Sequence, residues 1–451
     1  MTAISDILRG LRAIRQRLGP LWWYSALLFC TTRVGDVLNL YTGLFVLPGV
    51  LSVNDLGAVE PVTRLAGLGA IPLGIVGIVG AKYISAYHAA GEDGKIRHVM
   101  RDMLLLSLGS FMVFMIVLRL LYAPVCLRLH LSSPYLFAGL SGLALLACFQ
   151  PVMGVLLQGM QRFRITAVAG LADPVLRLTG TLLLAPLFQI CGYLFALLAA
   201  GVTSFCIGAW GLRTTLGGRR NNQSYYADGP EILRFALPVS ILVIVGTFQG
   251  FVEPFVIKHF LSAQDSAGYY VACRFGYIPG YLVGSVGFVL LPLLSFRHER
   301  GDDTGAYAKQ ALLITIGVSA AGTVIIGLAA AWLLQLRQEW LQYLPYAPQV
   351  WKVGVITTLG SAISIYTTHE LACRRLRFLW VIVPVTILEA ACLYGCFGLA
   401  AFAHFLPAAT MDALANLPRT LSFALWVMIA TRGAILLGML GQEMAQRRAT
   451  S

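Results

Sequence analysis

The sequence predicts an all-α polytopic membrane protein of about twelve transmembrane helices in two parallel six-helix lobes, with both termini cytoplasmic. Composition, the lengths of the apolar runs and the placement of basic residues carry that expectation. Of 451 residues, 58% are hydrophobic and 12% charged, and the mean hydropathy is +0.77, whereas a soluble domain carries about 25% charged residues. Such a surface is solvated by lipid. Disordered, collagen-like and disulfide-scaffold classes need high polarity, periodic glycine or dense cysteine and are excluded.

A bilayer core about 30 Å thick needs roughly 20 apolar residues per helix. Runs near that length fall at 21–49, 62–86, 102–124, 135–158, 166–188, 190–212, 232–257, 267–294, 310–334, 349–372, 378–403 and 415–440. Only a tight turn near Gln189 parts the fifth from the sixth. The N-terminus carries four Lys or Arg, the 2–3 loop three, the 4–5 loop two, the 6–7, 8–9 and 10–11 loops three each and the C-terminus two, twenty in all. The opposite side holds Arg128, Lys258, Arg337, Lys352 and Arg419. The rich side is expected in the cytoplasm. Both termini are then inside and the number of spans is even.

In residues 1–20, Ile4, Ile7, Leu8, Leu11, Ile14 and Leu18 alternate with arginines at helical spacing. That pattern fits an amphipathic helix on the inner leaflet better than a cleaved signal. The expected organisation continues with a first lobe at 21–213, a cytoplasmic linker at 214–231, a second lobe at 232–440 and a tail at 441–451. No loop reaches the roughly 50 residues a folded domain needs, so any chemistry belongs to the bundle or its mouths.

A shift of 210 residues lays Leu51-Ser52-Val53-Asn54-Asp55 over Leu261-Ser262-Ala263-Gln264-Asp265, Arg64 over Arg274 and Gly74 over Gly284. Six crossings separate the copies, so the halves are expected to be parallel and related by an axis along the membrane normal. Repeats of this kind place a substrate site at the interface between halves.

Charges at membrane depth cost a few kcal/mol each and usually face a cavity or one another. Those singled out within the expected spans are Arg33, Asp36, Arg64, Asp173, Arg177, Glu253, Arg274, Glu389 and Arg432, five basic and four acidic. Arg33 and Asp36 stand three apart on one face of the first span and either neutralise each other or line a cavity. Arg64 and Arg274 lie about two turns inside the outer ends of spans 2 and 8, where the alternatives are snorkelling and a shared central axis; the repeat favours the axis. Asp173 and Arg177 are an acid-first i,i+4 pair, read as a structural brace beside Pro174. Glu253 precedes Pro254 and is either an arginine partner or a protonatable coupling site. Glu389 and Arg432 are read as a mutual pair, or Arg432 as snorkelling inward. A cavity reached by Arg33, Arg64 and Arg274 would be net positive, suited to a phosphate or pyrophosphate headgroup through the planar guanidinium fork, and it would repel organic cations.

No phosphate-binding G-x-x-x-x-G-K-[ST] occurs, and the nine cysteines and seven histidines form no metal-spaced set, so neither cofactor nor metal is expected. Asn222-Gln223-Ser224 matches a glycosylation sequon but falls in a loop assigned to the cytoplasm. Prolines inside the runs suggest bent helices that rock between two states.

Leu157-Gln158-Gly159-Met160-Gln161-Arg162-Phe163-Arg164 resembles the L-Q-G-x-x-R-F pattern of bacterial polysaccharide flippases of the Wzx type. Leu261 to Tyr270 resembles their turn into span 8, with Leu51 to Gly57 a poorer copy, and Pro292-Leu293-Leu294-Ser295 resembles the P-x-L-S that ends it. These proteins belong to the multidrug/oligosaccharidyl-lipid/polysaccharide exporter superfamily. The resemblance implies two lobes in a V, a bacterial inner membrane, no catalytic activity, and a polyprenyl-pyrophosphate-linked oligosaccharide moved from the inner to the outer leaflet. It also implies membrane lipids and polysaccharide-assembly proteins as partners, and no nucleic acid. The related lipid II flippases use arginines in spans 1, 2 and 8 and an acid in span 1; Arg33, Arg64, Arg274 and Asp36 occupy those spans, although Arg33 and Asp36 are not adjacent.

The alternative within the superfamily is a multidrug-and-toxin-type cation antiporter with Asp36 as its ion site, in which acids should dominate the cavity. A major-facilitator carrier would need G-x-x-x-D-R-x-G-R in the 2–3 loop, which reads Gly91-Glu92-Asp93-Gly94-Lys95-Ile96-Arg97. A membrane glycosyltransferase would need a large external loop.

Overall fold

Long apolar runs satisfy their backbone groups within lipid only as helices or closed barrels, and the described residues contain helices and no strand. The computed structural model describes residues 28–216, 229–284, 304–397 and 419–450, apart from 132 and 374, with 290 and 294 besides. The amphipathic helix expected at 1–20, the sequon and Pro292–Ser295 apart from Leu294 lie outside the described residues.

The helices are α1 (28–50), α2 (Val53–Leu68), α3 (Ile71–Ala89), α4 (Asp93–Leu129), α5 (Leu136–Gly159), α6 (Phe163–Phe188) and α7 (Ile190–Leu216). The second half of the chain adds α8 (Gly229–Phe260), α9 (Ala263–Gly276), α10 (278–284), α11 (Gly305–Gln335), α12 (Ala347–Ala372), α13 (Leu379–Phe397) and α14 (Leu421–Thr450). A 3-10 segment, Gln338–Tyr346, joins α11 to α12. Seven of the described helices are long and apolar enough to cross a bilayer. Large apolar side chains such as Leu120 on α4 and Leu328 on α11 point outward, the arrangement a lipid solvent selects.

The 210-residue repeat marks a repeated local structure. Ser52 caps α2 by accepting from the Asp55 amide at 3.2 Å, and Ser262 caps α9 by accepting from the Asp265 amide at 3.0 Å. Each aspartate sits in the first turn, where its charge complements the helix dipole. Both helices then stop at a turn, Gly69-Ala70 in one and Tyr277 in the other. Pro72 and Pro279 occupy the second position of the following segment, where a missing N–H costs no helical hydrogen bond. The spans expected to run unbroken over 62–86 and 267–294 are therefore each interrupted, and the helix bearing Arg64 begins at Val53 instead of 62. Other boundaries move as well: α4 starts at Asp93 and α14 runs to Thr450, well into the segment expected as a tail. The tight turn at Gln189 is present, with a left-handed φ of 52°; its side chain accepts from the Ser52 amide at 3.0 Å.

Three basic residues expected on the outer side lie within helices: Arg128 in the last turn of α4, Lys258 in the last turn of α8, and Lys352 in α12. Lys258 and Lys352 are buried, which removes them from the exposed charge of that side. Each finds neutral acceptors: Lys258 Nζ donates to the Asn54 carbonyl at 2.8 Å and its Oδ1 at 2.6 Å, and Lys352 donates to Gln349 and Ser422.

The two halves of the chain meet where α2 packs against α9 and α8. At that crossing a Cβ on Gly57 would lie 2.7 Å from the Ser266 side chain, so only glycine allows the approach. The end of the bundle holding Ser52 and Ser262 is closed by contacts between the halves. Beyond Lys258 with Asn54, Arg128 donates to Tyr394 Oη at 3.0 Å and Arg337 to the Phe45 carbonyl at 3.2 Å. Tyr346, on the 3-10 segment, donates to Asp265 Oδ1 at 2.9 Å; burial and that carboxylate push its phenol above the usual range, so it remains a donor.

Candidate functional site

Their i,i+4 spacing, about one turn of an α-helix, places Glu60 and Arg64 on one face of α2, and Arg64 Nε stands 3.6 Å from Glu60 Oε2. Across the seam, α9 presents Arg274, whose Nη2 donates to Glu60 Oε1 at 2.7 Å. One carboxylate thus serves two arginines from opposite halves. Its burial, at 6% exposure, requires such compensation. Arg274 also stacks over Tyr270 at 4.6 Å. On its other side α1 makes a π-helical turn, Thr42–Val46, just before Pro48, whose ring cannot accommodate the regular carbonyl of residue 44. Gly43 in that turn lies against Arg274, where a Cβ would sit 2.9 Å from the Arg274 Cδ.

Below this cluster lies a cavity of about 330 Å³ lined by Glu60, Arg64, Glu253, Tyr269, Tyr277 and Arg432, among others. Arg64 is half exposed into it. Glu253 on α8 pairs with Arg432 on α14, and Arg432 Nη1 also donates to the Ile356 carbonyl at 3.4 Å. Glu389 on α13 accepts through Oε2 from Gln249 at 2.7 Å and from Thr431 at 2.9 Å. Its Oε1 is buried without a hydrogen-bond partner.

The five residues singled out from the sequence separate. Arg64 and Glu253 line the cavity; Arg274 stands behind Glu60, outside the lining. Arg33 and Asp36 on α1 are also outside it. They pair with each other at 3.1 Å, and Arg33 donates to the Tyr281 carbonyl of α10. The expectation that Arg33, Arg64 and Arg274 share one cavity is therefore corrected to Arg64 alone. The expected net-positive lining is corrected as well, because Glu60 and Glu253 balance Arg64 and Arg432. Asp173 and Arg177 form the expected pair at 2.7 Å on α6. Arg432 neither snorkels nor pairs with Glu389 as expected; the nearer carboxylate, Glu253, takes it.

Glu60 is the residue that sequence reasoning missed. It stands two positions before the span drawn from 62. Two signals pointed to it: the S-x-x-D cap at Ser52, which starts the helix earlier, and the acid-first i,i+4 spacing to Arg64.

Residues 76–297 match the family described as polysaccharide biosynthesis protein. The resemblance read from the sequence holds. The family match takes in α8, α9 and their arginine and acid but begins after α2. Among solved structures, the chain is similar to an inward-facing multidrug-resistance transporter of the same exporter superfamily, with a TM-score of 0.66 and 14% identity over 92% of this chain and 96% of that one. It is similar to the lipid II flippase MurJ in an inward closed conformation, at 0.59 and 14% over 94% and 87%. A superfamily transporter from Pyrococcus furiosus gives 0.56 and 14% over 94% and 96%. At that identity the structures establish the fold alone, an all-helical one. No curated protein matches the chain in sequence.

Proposed function

We propose that this membrane transporter flips a polyprenyl-phosphate- or pyrophosphate-linked oligosaccharide from the inner to the outer leaflet of a bacterial inner membrane by alternating access. The observation that carries the reading is the convergence of Arg64 and Arg274 from the two halves on one carboxylate at the cavity roof. Guanidinium groups so placed bind phosphoryl oxygens through paired donors. The family match and the fold shared with a lipid II flippase support the same reading.

In this reading the lobes are 21–213 and 232–440, joined by a cytoplasmic linker at 214–231. Residues 1–20 lie on the inner leaflet, both termini are cytoplasmic, and the end closed by Lys258 and Asn54 faces outward. The glycan enters from the cytoplasmic side, its headgroup meets Arg64, and its chain runs into lipid; polysaccharide-assembly proteins supply and consume it. Arg33 with Asp36 belongs to the inner half, where it holds α1 to α10. Arg64→Ala with Arg274→Ala should abolish export of the cell-surface glycan while the protein remains in the membrane. Full export by that double variant would sink the reading.

A second reading is a cation-coupled multidrug antiporter, favoured by the acids Glu60 and Glu253 in the lining and Glu389 behind it. Transport of organic cations by the purified chain, lost in Glu253→Gln and unaffected by Arg274→Ala, would establish it. Glu253 also serves as an ion-coupling acid in the flippase reading, as does Asp36; Glu253→Gln would then slow export and remove its dependence on the ion gradient.

A further inference from the structure

The position an incoming anion would take is already held by a group of the chain itself. Glu60 places one oxygen 2.7 Å from Arg274 and the other 3.6 Å from Arg64, the arrangement in which two guanidinium groups hold a phosphoryl group. Arg274 retains unused capacity, because its Nε is buried with no hydrogen-bond partner. Arg64 is open to the cavity. A ligand rising through the cavity therefore meets Arg64 first and reaches Arg274 only by moving the Glu60 carboxylate aside.

We propose that Glu60 is the resident counter-ion of this site: a pyrophosphate-class headgroup displaces it from Arg274, and that displacement unlocks α2 from α9. The inference rests on the flippase reading and adds to it a selection rule and a trigger. For selection, a ligand with a single carboxylate would only exchange like for like. A pyrophosphate brings more charge and more acceptor oxygens than Glu60 and can also satisfy the unused Nε. For the trigger, the Glu60–Arg274 ion pair ties helices from opposite halves, one turn below the place where Gly57 packs on Ser266. Displaced, Glu60 keeps Arg64 within reach on its own helix, so its charge is not stranded. The cost of breaking the tie is met by ligand contacts, and the contacts that remain at the closed end, chiefly Lys258 with Asn54, are to neutral groups. A ligand shifts a conformational equilibrium only through its differential affinity for the two states, and exchange at Arg274 supplies that difference.

The test uses the full-length purified chain and inorganic pyrophosphate as the probe. Glu60→Gln should bind pyrophosphate about tenfold more tightly than the unaltered chain, a gain on the scale of ordinary site coupling, and adding Arg274→Ala should remove the gain. In a second measurement, Ser266→Cys is introduced into a chain whose exposed Cys30 and Cys206 are serine, with Glu60 intact. Pyrophosphate should then speed labelling of that buried position by an impermeant thiol reagent. Equal or weaker binding by Glu60→Gln, with binding still dependent on Arg274, overturns the counter-ion role and leaves the flippase reading standing. Labelling unchanged by bound pyrophosphate overturns the trigger in the same way. No binding by any of the chains overturns both the inference and the reading beneath it.

Discussion

Two buried charge clusters border the cavity with opposite balances. On α2 and α9, a single carboxylate, Glu60, serves two arginines and joins the halves of the chain. On α8, α13 and α14, a single arginine, Arg432, neutralises Glu253 beside the second acid, Glu389, all within the C-terminal half. The energy of an ion pair that spans a seam changes when the halves move. A pair inside one half rides unchanged through a rigid-body motion. In the proposed reading the first cluster reports on substrate and conformation, and the second braces the bundle.

That contrast can be broken at several points. The largest effect is expected for Arg432→Ala, which strands Glu253 in a buried place and should cost about 3–5 kcal/mol, read as a lowered unfolding temperature in detergent; Glu253→Gln in the same chain should restore much of it. Arg274→Ala should cost less, about 1–3 kcal/mol, because Glu60 keeps Arg64, yet it should abolish export. A stability loss equal to that of Arg432→Ala would erase the distinction between the clusters. Glu389→Gln should lie below about 1 kcal/mol, since an amide oxygen still accepts from Gln249 and Thr431. Asp173→Asn, in a pair confined to α6 with both partners partly exposed, should be smallest, about 0.5 kcal/mol.

Much of the architecture was legible because lipid imposes one period and one length on the chain. The fourth to seventh and ninth apolar runs match α5, α6, α7, α8 and α11 closely, and Gln189 was recognised as a turn because the apolar pattern pauses there. The breaks after Leu68 and at Tyr277 were not legible, since Gly69-Ala70 and Tyr277 leave hydropathy undisturbed while ending the helix. The site suffered from the same limit. Drawing the second span from 62 hid Glu60, and with it the acid that turns an apparently cationic cavity into a balanced one. Lys352 reads as an outer-side charge near the start of an apolar run, yet Gln349, Ser422 and the rings of Trp351 and Trp426 bury it. Hydropathy counts such a lysine as surface because it cannot register partners from a distant helix.

The central claim, that arginines from the two halves carry an anionic lipid headgroup across the membrane, is tested most directly in proteoliposomes loaded with a polyprenyl-pyrophosphate-linked sugar, following its appearance in the opposite leaflet. The unaltered chain should move the lipid, and the chain bearing Arg64→Ala and Arg274→Ala should leave it at the protein-free rate. Movement at the full rate by the double variant would contradict the claim.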